Sequence, residues 1–206
     1  IRYRLVGSEM CIRDSTKIAR YLFNNSISGF EYLYGIPGTI GGALYMNAGA
    51  FDKEILTHVH RIKLLDRSGD LYYLNGKDLN YSYRKSNINK SSIIIGVEFY
   101  NHTKIFDKKL LSNLDNKRKS SQPVNQLSCG CIFKNPPHKY ASKLIEEAQL
   151  KGKRFGGIYI SRKHSNYFIN DGSGSYTDFL NLLDYVKRKV LSVYNIELKE
   201  EVILIK

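Results

Sequence analysis

The stretch LSCGCIFKNP, at residues 127–136, contains several side chains that could do chemistry. It places Cys129 and Cys131 on either side of one glycine and continues into Lys134 and Asn135. Two thiols at this spacing could be metal ligands, a redox pair, packing residues or acids in catalysis. A structural zinc site needs four ligands, and redox disulfides usually have Cys-x-x-Cys spacing. The spacing therefore disfavours a metal site and a redox pair, and it leaves packing and acid catalysis open.

A second stretch of chemical interest is the glycine-rich segment GIPGTIGGALYMNAGA, at residues 35–50. Glycine permits a positive φ and a close approach of the backbone to a ligand, and successive amides in such loops can bind an anion. No Gly-Lys-Ser or Gly-Lys-Thr follows, and the glycines do not have Gly-x-Gly-x-x-Gly spacing. The residues therefore leave a phosphate-binding loop and a tight turn as alternatives.

The composition is that of an ordinary folded protein. The 206 residues are 42% hydrophobic and 25% charged, and no apolar run reaches the roughly 20 residues of a membrane helix. The net charge of +13 would suit a nucleic acid or a smaller anion such as a nucleotide. The tight basic cluster at 115–121 contains no aromatic residue, and the other basic residues are scattered. We therefore expect no nucleic-acid partner and no membrane, and three cysteines without a signal peptide indicate a reducing cytoplasm.

The elements that must position these residues mix helices and strands without a βαβ repeat, which predicts an α+β fold. Elements predicted in the first half are a helix around 18–22, two strands within 59–76 about a turn at 67–70, a buried strand within 91–100 and a basic helix at about 106–120. In the second half, strands are predicted at 131–134, within 156–161, within 166–171 and, at the end of the chain, at 196–205. One helix is predicted at 140–150, closed by Lys151 and Gly152, and another begins at a capping box of Ser175 and Asp178.

Residues 1–15 differ from the rest, since they contain no asparagine and no clear helical or strand period. They are similar to the translated adapter text found at the ends of metagenomic gene fragments. We expect them to be non-native, so that Cys11 belongs to no native site and the chain is a fragment truncated at its N-terminus.

Four stretches, in order, resemble the signatures of the UDP-N-acetylenolpyruvoylglucosamine reductase (MurB) family of peptidoglycan synthesis. They are GIPGTIGGALYMNAGA (35–50), YSYRKS (81–86), SCGCIFKNP (128–136) and LKEEVILI (198–205). The resemblance covers residues 16–206. It implies the later part of an FAD-binding domain of the PCMH type at 16–105 and a small α+β substrate-binding domain at 106–206. The short connection at 87–127 resembles the shorter subtype, which lacks an additional tyrosine-bearing loop.

The resemblance implies an activity. A member of this family uses NADPH and FAD to reduce UDP-N-acetyl-3-O-(1-carboxyvinyl)glucosamine to UDP-N-acetylmuramate, so we expect a UDP-sugar substrate and a monomeric protein. The family's FAD domain begins with a glycine-serine-asparagine phosphate loop that is absent here, so we expect this fragment to bind FAD poorly or to fold incompletely. The alternatives are another flavin-dependent oxidoreductase with the same class of FAD domain and a basic nucleic-acid-binding module.

The resemblance also implies three catalytic residues. Arg84 matches an arginine that would hold a carboxylate or a flavin carbonyl, because a guanidinium presents its donors as a fixed fork. Cys131 stands where most relatives carry serine, the proton donor to the substrate enolate, and an ordinary thiol is mostly protonated at neutral pH. Glu201 matches the family's C-terminal glutamate, with Glu200 as a competing candidate. Ile203 stands where relatives often carry arginine, so one expected cation is missing.

Other residues are assigned to ligand binding by the resemblance, and none is assigned to a metal. The cofactor-binding residues are Gly35, Gly38, Thr39, Gly41, Gly42, Asn47, Ala48, Gly49 and Tyr83. The substrate-binding residues are Lys134, Asn135 and His164. Cys129 stands where relatives commonly carry alanine, and we expect it to pack in the core.

Overall fold

The computed structural model describes residues 3–5, 14–100 and 108–205. The chain divides into two compact units, Ile1–Lys117 and Arg118–Lys206. Helices and antiparallel strands are mixed, so the predicted α+β class is confirmed. The domain boundary expected after residue 105 stays a prediction. Within the described ranges, no helix combines the length and the apolar character that a membrane span requires.

The first unit is built around an antiparallel sheet. Its strands are β1 (Tyr3–Leu5), β2 (Gly49–Ala50), β3 (Lys53–Glu54), β4 (Val59–Leu65), β5 (Leu71–Asn75), β6 (Tyr81–Ser82), β7 (Lys85–Ser86) and β8 (Ile93–Phe99). The sheet has the order β1-β8-β4-β5, and β2-β3 and β6-β7 are separate hairpins. The helices are α1 (Ser15–Asn24) and α2 (Ile40–Tyr45), with single 3₁₀ turns at Glu31–Leu33, Ile55–His58 and Gly76–Asp78.

The predicted helix and the predicted pair of strands are confirmed. Helix α1 buries Ile18 and Leu22, although Tyr21 on the same predicted pattern is 49% exposed. Strands β4 and β5 pair antiparallel about the expected turn, where the Asp66 carboxylate accepts hydrogen bonds from the amides of Ser68 and Asp70. These bonds satisfy turn amides that would otherwise have no partner in the ladder.

Strand β8 forms where it was predicted, but the prediction that it is wholly buried is wrong. Ile93 is 62% exposed and Ile95 is 44% exposed, whereas Val97 and Phe99 are buried. Regular alternation would put these four side chains on one face, but the pairing of β8 with β4 shifts register between Gly96 and Ile94, and a bulge of this kind turns the two ends of the strand to different faces of the sheet. The apolar run therefore reflects strand propensity more than burial.

Part of the stretch expected to be non-native forms structure. Strand β1 pairs antiparallel with β8, with Tyr3 opposite Phe99. Cys11 lies outside the described residues. The expectation that residues 1–15 are non-native stays a prediction.

Helix α3 (Lys108–Ser121) confirms the predicted basic helix, although Phe106 lies outside the described residues. The second unit then contains the helices α4 (Ala141–Glu147) and α5 (Tyr176–Tyr194) and the strands β9 (Arg154–Phe155), β10 (Ile158–Ile160) and β11 (Phe168–Asn170). The strands form an antiparallel sheet in the order β11-β10-β9.

The predicted capping box of α5 is confirmed. The Ser175 hydroxyl accepts from the Asp178 amide at 3.1 Å, and the Asp178 carboxylate accepts from the Ser175 amide at 2.9 Å. The apolar side of the helix buries Leu182, Leu183, Val186 and Val190. Capping and burial together fix where this helix begins and which side packs on the core.

Helix α4 ends at Glu147, before the predicted closure at Lys151 and Gly152. Gln149 takes the left-handed conformation with a φ of 58°. The Leu150 amide donates to Ile145 O at 3.2 Å, and the Gln149 amide donates to Glu146 O at 2.9 Å. This is the Schellman pattern, with glutamine at the position that glycine usually occupies.

The strands predicted at 131–134 and 196–205 are wrong, because each segment makes single bridges instead of a ladder. Cys131 bridges Tyr167, and Phe133 bridges Glu200. After Glu201 the described chain forms no strand, and Ile203 is 76% exposed. A β-rich sequence without a neighbouring strand to pair with does not become a strand.

Candidate functional site

The glycine-rich segment of the first unit leads into α2. Thr39 is the N-cap, and its hydroxyl accepts a hydrogen bond from the Gly42 amide at 3.1 Å. Gly38 has a φ of 114°, and a Cβ placed there would meet nothing within 4 Å. The nearest atom to a Cβ at Gly41 would be Thr39 Oγ1, at 3.9 Å. Open space thus surrounds an exposed glycine backbone, which a phosphate or a flat ring could approach closely.

Gly35 and Gly49 meet conformational demands of the backbone. Gly35 has a φ of 79°. A Cβ at Gly49 would lie 2.1 Å from Lys53 O, so the tight β2-β3 hairpin excludes any larger residue there. Both main-chain polar groups of Ala48 are hydrogen-bonded. Its amide donates to Ala43 O at 2.8 Å, and its oxygen accepts from the Ile55 amide at 3.0 Å.

Asn47 is fully buried and joins three parts of the first unit. Its side-chain nitrogen donates to Glu54 Oε2 at 2.7 Å and to Ser82 O at 3.1 Å. Its side-chain oxygen accepts from the Leu56 amide at 3.3 Å. The Asn47 side chain is thus used within the protein, where it holds the β6-β7 hairpin beside the glycine-rich segment.

Tyr83 and Arg84 form the tip of the β6-β7 hairpin. Arg84 has a φ of 54°, and its guanidinium Nη2 donates to Gly49 O at 2.9 Å. The guanidinium carbon also lies 4.9 Å from the centre of the Tyr83 ring. The structure therefore brings Arg84, Tyr83 and the glycine-rich segment together in one region of the first unit.

Segment 131–134 of the second unit is held from two sides. The Ile132 amide donates to Asn166 O at 2.9 Å, and the Glu201 amide donates to Ile132 O at 2.8 Å. The side chain of Asn166 is buried and bonds both the amide and the oxygen of Phe133, at 2.9 and 2.8 Å. These bonds fix the backbone on which Cys131 and Lys134 sit.

Cys131 lies beside Tyr167, which sequence reasoning missed. Their backbones form an antiparallel bridge, and the Cys131 side chain acts electrostatically on the Tyr167 phenol. Burial is the main reason why the pKa of Tyr167 is raised well above its ordinary value, and the charge of Cys131 adds to it. Glu201 and Arg118 also act electrostatically on this phenol. No pattern in the sequence connects these four residues, since they come from four separate segments.

The structure distinguishes the two neighbouring glutamates. Glu200 accepts from Lys187 Nζ at 2.7 Å. Burial is the largest single effect and would raise the pKa of Glu200, but the hydrogen bond and charge of Lys187 together with a backbone hydrogen bond outweigh it, and the pKa is lowered. The Glu200 carboxylate thus forms an ion pair with Lys187 of α5, whereas Glu201 acts electrostatically on Tyr167, next to Cys131.

The three residues expected to bind substrate lie in the second unit. His164 Nδ1 accepts from the Asn166 amide at 3.3 Å, and its ring packs edge-on against Tyr167 with 4.7 Å between the ring centres. Burial lowers the pKa of His164, which favours the neutral imidazole. The Asn135 side-chain oxygen accepts from the Ala141 amide at 3.0 Å and so supports the start of α4. The Lys134 amide donates to Lys199 O at 2.8 Å, which fixes the backbone at this position.

Cys129 corrects a prediction. It is exposed, so the expectation that it packs in the core is wrong. It lines a cavity of about 540 Å³ together with Ser128, Phe168 and Tyr176. Despite its exposure, neighbouring atoms partly desolvate the thiol and raise its pKa.

A larger pocket of about 630 Å³ lies elsewhere in the second unit. Three basic side chains line it, from Lys119, Arg162 and Lys163. Lys163 Nζ also donates to the main-chain oxygen of Lys119. This concentration of cations suits a phosphate-bearing ligand. Sequence reasoning assigned none of these three residues to a ligand, because Lys119 lies in the basic cluster at 115–121 and Arg162 and Lys163 lie far from it along the chain.

Comparison with known proteins gives consistent results. Residues 122–205 match the family model described as UDP-N-acetylenolpyruvoylglucosamine reductase, C-terminal domain. The reductase of that name from Caldanaerobacter subterraneus subsp. tengcongensis is 38% identical over 190 residues, which are 90% of this chain and 62% of the relative. The one from Staphylococcus aureus is 36% identical over 206 residues, which are 98% of this chain and 66% of the relative. The chain thus spans less than two thirds of the length of these curated relatives.

A solved structure agrees in fold as well as in sequence. The crystal structure of UDP-N-acetylenolpyruvylglucosamine reductase (MurB) from Thermus caldophilus matches with a TM-score of 0.80 and 30% sequence identity. The match covers 97% of this chain and 72% of that chain. The resemblance noted in four short stretches therefore extends over the whole backbone, and the chain belongs to the UDP-N-acetylenolpyruvoylglucosamine reductase (MurB) family.

Proposed function

We propose that the chain carries the reductase activity of its family, the NADPH-dependent and FAD-mediated reduction of UDP-N-acetyl-3-O-(1-carboxyvinyl)glucosamine to UDP-N-acetylmuramate. The observation that carries the proposal is the grouping of Cys131, Tyr167 and Glu201 in the second unit. A thiol, a phenol and a carboxylate that lie near one another can supply a proton to a reacting carbon. The family to which the chain belongs assigns such a proton donor to the position of Cys131.

The first unit has residues that fit a flavin. The exposed glycine backbone at 38–42 leaves room where a side chain would otherwise stand. Thr39, Tyr83 and Arg84 add a hydroxyl, an aromatic ring and a cation in the same unit. FAD, when bound, would supply the hydride, and NADPH would restore the reduced cofactor. The glycine segment would bind the cofactor through its backbone. The buried Asn47 side chain would hold that backbone beside the β6-β7 hairpin through its hydrogen bond to Ser82 O.

Cys131 supplies the proton in this proposal. The substrate has a carbon–carbon double bond next to a carboxylate. When one carbon of that bond accepts a hydride, the π electrons move to the adjacent carbon and the carboxylate as an enolate. The Cys131 S–H bond then breaks, its proton forms a new C–H bond on the adjacent carbon, and a thiolate remains. The product has gained two hydrogen atoms, and the thiolate regains a proton from solvent.

Arg84 and Glu201 have supporting roles in the proposal. A guanidinium can donate two parallel hydrogen bonds to the planar substrate carboxylate or donate to a flavin carbonyl, and its charge offsets the enolate. Glu201 lies near the phenol that contacts Cys131, where its carboxylate would orient the acid. Glu200 is less suited, since Lys187 already occupies its carboxylate.

The second unit also offers cations for the diphosphate of a UDP-sugar. Lys119, Arg162 and Lys163 line one open pocket. Lys134 and Asn135 follow directly after the segment that holds Cys131, and we propose that they contact the sugar or the diphosphate. His164 would act as a neutral hydrogen-bonding group, because burial disfavours its charged form. The net charge of +13 is then explained by an anionic small molecule without a nucleic acid.

The activity can be tested by the mass of the sugar nucleotide. The purified chain is incubated with NADPH, the enolpyruvyl UDP-sugar and a large excess of FAD, because we expect it to bind FAD weakly. We expect a gain of two hydrogen atoms in the sugar nucleotide with matching oxidation of NADPH. UDP-N-acetylglucosamine, which has no double bond to reduce, is the control substrate. A chain that binds FAD and oxidises NADPH but leaves the enolpyruvyl sugar unchanged would contradict the proposal.

Binding gives a second test that does not depend on turnover. A ligand that binds the folded state raises the thermal midpoint of the protein by mass action. We expect the UDP-sugar to raise the midpoint of the chain and an oligonucleotide of similar charge not to do so. Protection by the oligonucleotide with none by the UDP-sugar would favour the nucleic-acid-binding alternative.

A further inference from the structure

Tyr167 has an unusual relationship to the thiol that the proposed reaction uses. It lies directly opposite Cys131 in an antiparallel bridge, so the two side chains leave the backbone on the same side. The Cys131 side chain acts on the phenol and favours its protonated form. The Tyr167 backbone is held in turn, since its amide donates to His164 O at 3.0 Å and its oxygen accepts from the Ser161 amide at 2.9 Å. The phenol is therefore a fixed neighbour of the thiol.

On the function proposed above, we propose that Tyr167 is a positioning residue for Cys131. Its phenol O–H donates a hydrogen bond to the Cys131 sulfur and stabilises the thiolate that remains after the thiol has given its proton to the substrate carbon. The Tyr167 proton stays on its oxygen throughout. No atom of Tyr167 is transferred, and the balance of protons and electrons in the proposed reaction is unchanged.

The surroundings of Tyr167 support the role of a donor. Burial raises the pKa of the phenol, so its proton is retained over the whole physiological pH range. A buried donor bonded to a charged acceptor contributes more than a neutral pair. A thiol that is stabilised as its anion is the stronger acid. The phenol therefore makes proton donation by Cys131 easier without competing as an acid.

Of the charged groups around the phenol, one favours a negative charge in this region and another opposes it. Arg118 is 7% exposed, and its positive charge favours an anion in this region. Glu201 opposes an anion by its negative charge. His164 packs edge-on against the phenol ring, and it is mostly neutral because burial lowers its pKa. The proposed hydrogen bond from Tyr167 thus acts directly on the sulfur, with Arg118 as a more general electrostatic support.

The proposal is tested first on the thiol itself, without substrate or cofactor. The 206-residue chain carrying Cys129→Ser is treated with iodoacetamide over a range of pH, and alkylation of the peptide that contains Cys131 is followed by mass spectrometry. Tyr167→Phe is compared with the unchanged tyrosine in the same background. Phenylalanine keeps the ring and its packing on His164, so the comparison isolates the hydroxyl. Tyr140→Phe, at an exposed position, is the matched control.

We expect Tyr167→Phe to raise the pH midpoint of Cys131 alkylation by about one unit. A shift of this size corresponds to the loss of one hydrogen bond to the charged sulfur. Tyr140→Phe should leave the midpoint where it is. The thermal midpoint of each variant confirms that it is folded. An unchanged alkylation midpoint in a folded Tyr167→Phe chain would overturn the contact between the phenol and the thiolate, whatever the chain catalyses.

The second arm measures turnover in the holoenzyme. If the proposal holds, Tyr167→Phe lowers the rate of product formation about tenfold and shifts its pH profile upward, while the KM for the UDP-sugar changes little. If Cys131→Ala abolishes product formation but Tyr167→Phe does not alter it, the proposed function stands and the role of Tyr167 is refuted. If Cys131→Ala retains full turnover, Cys131 is not the acid. The alkylation experiment then still tests whether the Tyr167 phenol contacts the Cys131 thiolate.

Discussion

The guanidinium of Arg84 donates to the main-chain oxygen of Gly49 over 2.9 Å, although Arg84 itself sits in the left-handed region with a φ of 54°. The left-handed conformation costs a non-glycine residue about 1–2 kcal/mol. The hydrogen bond and the contact with the Tyr83 ring offset part of that cost. A side chain that is retained at a strained position is a candidate for function, because the fold would be better served there by glycine.

Replacing Arg84 should separate stability from activity. In Arg84→Gly, the relief of backbone strain and the loss of one hydrogen bond are each about 1 kcal/mol, so the free energy of unfolding should change little. Product formation should fall by about 100-fold or more, because the proposed carboxylate partner is gone. Urea unfolding and the reduction assay measure the two effects. Arg67→Gly, in the exposed β4-β5 turn, is the control for the loss of a cation, and a fully active Arg84→Gly variant would refute the role of Arg84.

Asn47 should be important for stability. Asn47→Ala leaves the buried Leu56 amide and the partly buried Ser82 oxygen without their side-chain partner, which should cost about 2–3 kcal/mol. The exposed Asn75 makes one side-chain bond to Asp78 at 3.1 Å, so Asn75→Ala should cost less than about 0.5 kcal/mol. Urea unfolding followed by circular dichroism compares the two variants. Equal losses of unfolding free energy in the two variants would show that burial of the Asn47 amide adds nothing to stability.

The two cysteines of the CGC stretch should behave differently. Cys131→Ser should keep substantial product formation, because a hydroxyl can still donate a proton. Cys131→Ala should lose product formation while oxidation of NADPH by the bound flavin continues. Cys129→Ala should leave both steps intact, since this exposed thiol is not assigned to the reaction. The sugar product is measured by mass and NADPH by absorbance, and loss of product in Cys129→Ala together with full activity in Cys131→Ala would reverse the assignment.

Acid should weaken the second unit through Asp171. The Arg154 guanidinium, with further bonds from Ser173, lowers the pKa of Asp171 to about 2. Since this value lies below the ordinary pKa of about 3.9, the interaction stabilises the folded state fully above about pH 4, and its contribution is lost as the pH falls towards about 2. The urea midpoint should therefore fall more steeply from pH 5 to pH 2.5 in the wild type than in Asp171→Asn.

A second acid provides the matched control for that experiment. Asp184 pairs with Arg188 at 2.6 Å on an exposed face of α5, one helical turn apart. Such surface pairs contribute little to stability. Asp184→Asn should therefore keep the pH dependence of the wild type. Equal slopes for the wild type and Asp171→Asn would refute the special role of Asp171.

Local features were predictable from the sequence. The β4-β5 hairpin and the capping box of α5 were both confirmed, because their determinants lie within a few residues of each other. Asp66 bonds the amides of its own turn, and Ser175 and Asp178 bond each other. Local hydrogen bonds of this kind need no information about the rest of the chain.

Features that depend on distant partners were not predictable in the same way. The 131–134 and 196–205 segments have strand-like composition, but the fold gives them single bridges with each other and with Tyr167. Helix α4 ends where Gln149 adopts a conformation that is typical of glycine. Tyr167 joins the proposed site only through tertiary pairing, so no spacing in the sequence could have selected it among 16 tyrosines.

The buried amide of Asn47 also determines how the first unit can open locally. One side chain holds Glu54, Leu56 and Ser82 at the same time, so the β6-β7 hairpin cannot separate from the glycine-rich segment without exposing bonds of the β3 region as well. Elements that share a bond of this kind open together. The amide protons of the two hairpins should therefore exchange with solvent through one common event, and the turn that carries Arg84 has a free energy of opening closer to that of the core than to that of an exposed loop.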